Sequence, residues 1–347
     1  APVADEAGLE PGLRLLIGCW RSCLGYQGAL TPESDFFLVS GSSLSAVRLA
    51  GQIETQFGIG FGPVDVFRNP TIASQWALIR ARQGTAGSGE RVQERLLSPD
   101  VPGTPKLILL PPALGGLHEL QDLADRWAGQ VTTAVLALDA DAVVDLTASE
   151  LEAALLQTLQ QALVAAGQRP VWLGGYSLGA EMLAALLQHH PELAQSVERL
   201  IFLDPNLRTE VFEGEALLAE FVEGFRALGL EAAYGGLPAA ISEASLREQQ
   251  PAVYREWCLY RLQHGCLNGQ TFFDRASALA GLDLPLALIF SQDTDEAELA
   301  ALPRPDQWLV QRLAGDHSGF MQQLEPGFWP DSPGETKQLN KPMSAAK

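Results

Sequence analysis

Gly175-Tyr176-Ser177-Leu178-Gly179 has the clearest capacity for chemistry in this sequence. It follows an apolar run, Val171-Trp172-Leu173, and precedes a helical pattern from Ala180 to His190. A serine held between glycines at a strand-to-helix turn takes a strained backbone conformation. That turn leaves no room for neighbouring side chains and exposes the serine Oγ at the strand end, beside a helix N-terminus. Ser177 is therefore a candidate nucleophile, and such a serine needs a base and an acid to orient that base.

The chain offers five histidines. His189 and His190 end the helix after the serine, His264 falls in a long late insertion, and His118 begins a helix after Gly115-Gly116. All four read as helix-end or surface residues. His317, in Ala314-Gly315-Asp316-His317-Ser318, follows a strand late in the chain. The order serine, acid, histidine then makes it the expected base. For the acid, the residues leave two positions open: Asp204, which ends Leu200-Ile201-Phe202-Leu203, and Asp293, just beyond Leu288-Ile289-Phe290. Asp316 reads as a loop-shaping neighbour of the histidine. A developing oxyanion needs two backbone N–H donors. Leu178, at the helix N-terminus, supplies one; in Leu110-Pro111-Pro112-Ala113-Leu114-Gly115-Gly116 the prolines cannot donate, so Ala113 has the first available N–H.

The elements that must position these residues are legible as pattern. Apolar, β-branched runs at 106–110, 131–138, 170–173, 200–203, 286–290 and 308–313 read as buried strands, with amphipathic helices at 117–128, 149–166 and 178–190. That alternation predicts a mostly parallel sheet with helices on both faces. About 80 residues separate the strand ending at Asp204 from the one starting near Leu284, far more than an ordinary connection. The helical spacing within predicts a folded insertion acting as a lid. Its aromatic residues, Phe221, Phe225, Tyr254, Trp257 and Tyr260, either shield the nucleophile from water or pack the insertion's own core.

Upstream the pattern is helical only. Leu13, Leu16, Ile17, Trp20 and Leu24 form one stripe; Leu44, Val47, Leu49, Ile53 and Phe57 a second; Ile72, Trp76 and Ile79 a third, a small bundle. Asp35-Phe36-Phe37-Leu38-Val39-Ser40-Gly41-Ser42-Ser43-Leu44 is a loop feeding a helix start, with serines suited to capping. A Gly-, Pro- and Ser-rich stretch separates the two parts. The 347 residues thus divide into 1–84, a linker at 85–104, a second domain at 105–330 with its lid at about 206–275, and a flexible tail at 331–347.

Composition narrows the function classes. An apolar share of 47% and a charged share of 19% suit a packed chain rather than a disordered one. Acidic residues number 42 against 23 basic, and the net charge of −19 disfavours nucleic acid and anionic lipid as partners. The excess is uneven: residues 1–84 hold 7 acidic and 6 basic side chains, the remainder 35 and 17. No stretch has the apolar length of a membrane helix and the N-terminus lacks a signal-peptide pattern, so a cytoplasmic protein is expected. The four cysteines, Cys19, Cys23, Cys258 and Cys266, lack metal-ligand spacing and read as buried thiols, which leaves no metal expected. A start without Met suggests a piece of a longer polypeptide.

Taken together the motifs resemble a known arrangement. Asp35-Phe36-Phe37, Gly41-x-Ser43-Leu44, Phe57-Gly58 and Phe67-x-x-Pro70-Thr71-Ile72 are similar to the peptidyl carrier domain of nonribosomal peptide synthetases. Pro111-Pro112-Ala113-x-Gly115-Gly116, Gly175 to Gly179, Leu203-Asp204 and Gly315-x-His317 resemble the type I thioesterase domain, an α/β-hydrolase, that ends such assembly lines. The resemblance implies 4'-phosphopantetheine carried on Ser43, Asp204 as the acid, and a lid between about Asn206 and Arg275. It also implies condensation and adenylation domains upstream, a phosphopantetheinyl transferase as partner, and release of a peptidyl or acyl chain by hydrolysis or macrocyclisation. Departures are Ser40-Gly41-Ser42-Ser43 where the family has Gly-Gly-His/Asp-Ser, and early prolines after His317. A polyketide-type termination module and a catalytically inactive scaffold are the alternative expectations.

Overall fold

A computed structural model of the chain describes residues 11–328 apart from 27, 58, 60, 63–64, 67–68, 87–90, 114–116, 139–145, 209–210, 228–230, 232–235, 304, 306–307 and 318. The tail at 331–347, Gly58, Phe67, Gly115 and Gly116 lie outside the described residues. By contact density the chain forms two compact units, Ala1–Glu90 with Gly214–Trp257, and Arg91–Glu213 with Cys258–Lys347.

In the first unit the three apolar stripes become α1 (Pro11–Leu24), α2 (Ser43–Phe57) and α3 (Ile72–Ala86). Leu16, Ile17 and Trp20 of α1 meet Ala46, Leu49, Ala50 and Ile53 of α2 and Ile72 and Ile79 of α3 in one buried core. The loop between α1 and α2 is pinned rather than loose. Phe36 is buried edge-on against Trp20, with ring centroids 5.1 Å apart, and its N–H donates to the Pro70 carbonyl at 2.7 Å. Trp20 in turn donates its indole N–H to Gln75 at 2.9 Å, which satisfies a buried polar edge.

The second unit is built on β1 (Val92–Leu96), β2 (Lys106–Leu110), β3 (Thr132–Leu138), β4 (Val171–Tyr176), β5 (Arg199–Leu203), β6 (Leu286–Phe290) and β7 (Trp308–Arg312). Their order is β1-β3-β2-β4-β5-β6-β7, and every pair is parallel except β1 with β3. All residues of β2, β4 and β6 are buried, so both sheet faces are covered, as a parallel sheet requires. The connections carry α4 (Leu117–Trp127), α5 (Ala148–Ala166) and α6 (Leu178–His189). This is the α/β-hydrolase architecture expected from the sequence.

One expectation needs correction. The segment 85–104 is not a linker throughout: β1 lies within it, Ser98 accepts the N–H of Thr133 at 2.9 Å, and Arg169 binds Thr104 and Asp100. Its alternating charges, as in Glu94 and Arg95, disguise an antiparallel edge strand, because an edge strand keeps polar side chains that a central one excludes. The insertion holds α7 (Gly214–Ala227), α8 (Glu243–Gln249) and α9 (Pro251–Gly265), followed by α10 (Phe272–Ala280). Its stretch Gly214–Trp257 groups with the first unit, not with the sheet. Phe221 packs on Phe225 and Trp257 with centroids 5.6 and 5.5 Å apart, all three buried, so these aromatics form a core of the insertion itself. Among the described residues no helix is long and apolar enough to cross a membrane.

The end of the sheet unit is tied back to α4. Beyond α11 (Glu296–Ala301) and β7, Arg126 donates to the carbonyls of Gln322 at 2.7 Å, Leu324 at 3.2 Å and Met321, and the Trp127 indole donates to Leu324 at 3.0 Å. These bonds hold the segment that follows the His317 loop. Replacement by Arg126→Met removes three carbonyl partners, and an unfolding free energy lower by about 2 kcal/mol is expected in a denaturant titration.

Candidate active site

Strand register brings the predicted residues to one edge. Tyr176 of β4 pairs with Leu203 of β5, so the next residues, Ser177 and Asp204, leave neighbouring strands at the same C-terminal edge of the sheet. Ser177 donates its N–H to the Leu203 carbonyl at 2.8 Å, and Asp204 donates its own to Ile289 at 2.7 Å. Both are non-glycine residues with positive φ, 53° and 46°, a strain that concentrates at functional sites. At Gly175 an added Cβ would run into the backbone of Gly179 and Ala180, and at Gly179 into the carbonyls of Leu110 and Pro111. Only glycine permits so close a turn.

The imidazole of His317 comes from the loop after β7, and its Nδ1 lies 2.6 Å from Asp204 Oδ2. The other carboxylate oxygen accepts the Ser291 N–H at 2.9 Å and the Thr294 hydroxyl at 3.1 Å. Asp204 is 6% exposed. With these donors converging on a buried carboxylate, the contact engages Nδ1 of the ring, and Nε2 is the nitrogen that this contact does not use. Thr294 and Ser291 were not singled out from the sequence; their position right after β6 is the only signal that points to them.

The remaining candidates separate. Asp293 is exposed in the turn after β6, and Asp316 accepts the Gly319 N–H at 2.8 Å, a loop-shaping role. His189 and His190 lie 2.8 and 3.5 Å from Glu152. Burial, aided by Arg208, pushes the His264 pKa down to about 3, so this ring stays neutral inside the protein. His118 lies in the first turn of α4. Burial pushes Cys19 up to about 11 and Cys266 up to about 12, so neither supplies a thiolate.

Leu178 is the first residue of α6, where a backbone N–H has no intrahelical acceptor. Pro111 and Pro112 are buried and Ala113 half-buried, and the Gly179 contact sets this loop against the start of α6. Leu114 to Gly116 lie outside the described residues.

The second candidate site is the start of α2. Asp35 Oδ1 accepts the N–H groups of Phe37 and Leu38 at 2.9 and 3.2 Å, turning the chain so that Phe36 points into the core. Gly41 closes on that ring: an added Cβ would collide with the Phe36 side chain and carbonyl. Ser42 then caps the helix, exchanging bonds with Ser45 through its N–H at 2.6 Å and its hydroxyl at 3.2 Å. Ser43 is the first residue of α2. A helix start has N–H groups without intrahelical acceptors and the positive end of the helix dipole, so this stretch suits a phosphate-linked group.

Comparison with known proteins points to the same segment of the chain. Residues 14–79 match the family described as "Phosphopantetheine attachment site", for which 4'-phosphopantetheine is the attached group. The chain is 35% identical over 74 residues to the hybrid PKS-NRPS synthetase TAS1 of Botryobasidium botryosum, covering 21% of this chain and 4% of that protein. It is 38% identical over 72 residues to the pyochelin synthetase PchE of Pseudomonas aeruginosa, 21% and 5%. The chain therefore spans a small fraction of the curated relatives it matches. A crystal structure of holo-AB3403, a four-domain nonribosomal peptide synthetase bound to AMP and glycine, aligns with 90% of this chain and 25% of its own, with a TM-score of 0.51 and 18% identity. That likeness shows a shared fold across both parts.

The geometry at Asp204 generates a graded expectation for phosphonylation of Ser177 by an active-site probe. Asp204→Asn keeps the shape but no longer fixes the proton on Nδ1, and should slow labelling by a fluorophosphonate roughly 10³- to 10⁴-fold. Thr294→Val removes one hydrogen bond and should cost about tenfold or less, and Asp293→Asn should leave the rate unchanged.

Proposed function

We propose that the chain carries an acyl or peptidyl group as a thioester on Ser43 and releases it through Ser177, with His317 as base and Asp204 as its orienting acid, in nonribosomal peptide biosynthesis. The observation that supports this best is the buried Asp204 carboxylate on His317 Nδ1, at the sheet edge where a strained serine follows β4, on the same polypeptide as a phosphopantetheine attachment segment.

The arm on Ser43 supplies a flexible thiol that presents its acyl group as a thioester. At the sheet edge His317 Nε2 takes the Ser177 proton as Oγ attacks the thioester carbonyl, and the Leu178 and Ala113 N–H groups face the charge that forms on oxygen. Asp204 keeps Nδ1 protonated and stabilises the imidazolium. The imidazolium then protonates the departing thiolate, leaving an ester on Ser177. In the second half His317 activates water, which gives a free acid, or an amine or hydroxyl within the chain, which gives a ring. The reading assigns the incoming chain to upstream condensation and adenylation domains, and loading of Ser43 to a phosphopantetheinyl transferase. The match to a hybrid PKS-NRPS synthetase favours a second version, in which the carried chain includes polyketide units and the same residues act.

Incubation with coenzyme A and a broad phosphopantetheinyl transferase should add one arm by mass. Ser43→Ala should abolish the addition, whereas Ser42→Ala should retain it while lowering the stability of the first unit by about 1 kcal/mol through loss of the cap. Ser177→Ala should eliminate release from an acylated holo chain with loading intact. A loaded Ser177→Ala chain that still releases its acyl group at the normal rate would overturn the role of this serine and favour the inactive-scaffold reading.

A further inference from the structure

We infer that Tyr176 is a positioning residue for His317, fixing the imidazole plane from the backbone position next to the nucleophile. The inference deepens the release reading above and rests on it for its consequence in catalysis. Tyr176 is 2% exposed at the last position of β4. Its hydroxyl donates to the His317 main-chain carbonyl at 2.8 Å. Its ring lies against the His317 imidazole with centroids 5.0 Å apart and planes 28° from parallel. Phe320 backs the phenol at 6.4 Å.

These contacts answer a mechanical problem. The His317 side chain is 47% exposed, so general packing does not hold it. One hydrogen bond from Nδ1 to Asp204 sets the position of that nitrogen but leaves the ring able to swing about the Nδ1 to Oδ2 line. Such a swing moves Nε2, on the far side of the ring, away from any fixed serine. A stacked aromatic face removes this freedom, and the bond from the phenol to the carbonyl fixes the main chain from which the ring projects. The loop also needs fixing, since Gly315 holds φ of 105° just before it and is tied to Gln292 through Gln292 N–H to Gly315 O at 3.0 Å. Tyr176 is bonded through its strand to Leu203, the residue before Asp204, and is covalently joined to Ser177. One side chain therefore references the base to the same backbone that carries the nucleophile and sits beside the acid. The ring face also favours the cation that forms when His317 accepts a proton. A leucine at this position would keep an apolar side chain there yet supply neither the stacked ring nor the hydroxyl bond.

The test uses the full chain as Tyr176→Phe and Tyr176→Leu, with three readouts: labelling rate by a fluorophosphonate, kcat and KM for an acyl N-acetylcysteamine thioester, and the proton NMR signal of the His317 Nδ1–H. Tyr176→Phe loses only the carbonyl bond and should lower kcat and labelling about fivefold to tenfold. Tyr176→Leu loses the stack too and should lower both about a hundredfold. KM should stay within twofold in both, because the substrate site is not altered. The Nδ1 proton signal should persist in Tyr176→Phe and broaden or vanish in Tyr176→Leu. Should the leucine variant fail to fold, Tyr176→Phe decides by itself: an unchanged kcat overturns the inference, and a reduced kcat at constant KM supports it. Variants that label and turn over like the wild type, with an unchanged proton signal, also overturn it. A wild-type chain that resists the probe would instead sink the Ser177 reading. In that case the proton signal, which needs no activity, decides the positioning role: its loss in Tyr176→Leu supports the role and its persistence there overturns it.

Discussion

The first turn of α6 lies so close to β2 and β4 that neither Gly175 nor Gly179 can carry a side chain. Most of the second unit's geometry follows from that approach. It forces Ser177 to a positive φ, sets the first free N–H groups of the helix at the sheet edge, and draws the Pro111 to Ala113 loop against the helix start. The strain is tolerable because β4 is buried on both faces and bonded on both sides, by β2 and β5, so the surrounding structure over-determines the turn.

The charged part of the site depends on contacts that are distant in sequence. His317 and Asp204 are 113 residues apart, and the carboxylate is further held by Ser291 and Thr294 from the end of β6. Parallel register makes this reproducible: β4, β5 and β6 end side by side, and the loop after β7 returns across them. A buried carboxylate is costly unless donors surround it, and here backbone, hydroxyl and imidazole groups do so. The closing segment is in turn held to α4 by Arg126 and Trp127, so the position of the histidine loop rests on an element some 190 residues earlier in the chain.

The first unit solves a different problem with a smaller core. Its loop is organised by the Phe36 plug, with Asp35 turning the backbone above it and Gly41 pressing on it. The outcome is a defined start for α2, with Ser42 engaged in capping and Ser43 in the next position. Residues 1–84 are close to neutral, whereas the remainder of the chain is strongly acidic.

What the sequence determined by itself was local. The serine turn, six of the strands and the three N-terminal stripes are written in runs of five to fifteen residues, because glycine tolerance, capping and apolar periodicity act over that range. The turn around Ser177 was legible for the same reason, whereas the pattern around Ser43 by itself gave only a capped helix start. Which carboxylate meets His317 was not legible, since Asp204 and Asp293 both follow apolar strands and differ only in which one faces the histidine after the sheet assembles. Edge strand β1 was hidden because its charges obey solvent on one side rather than a buried pattern. The insertion's aromatics announced an apolar cluster without saying what they covered, and no local signal marked Tyr176. Those were decided by tertiary structure, because strand order and register, not local preference, determine which distant side chains come within hydrogen-bonding distance.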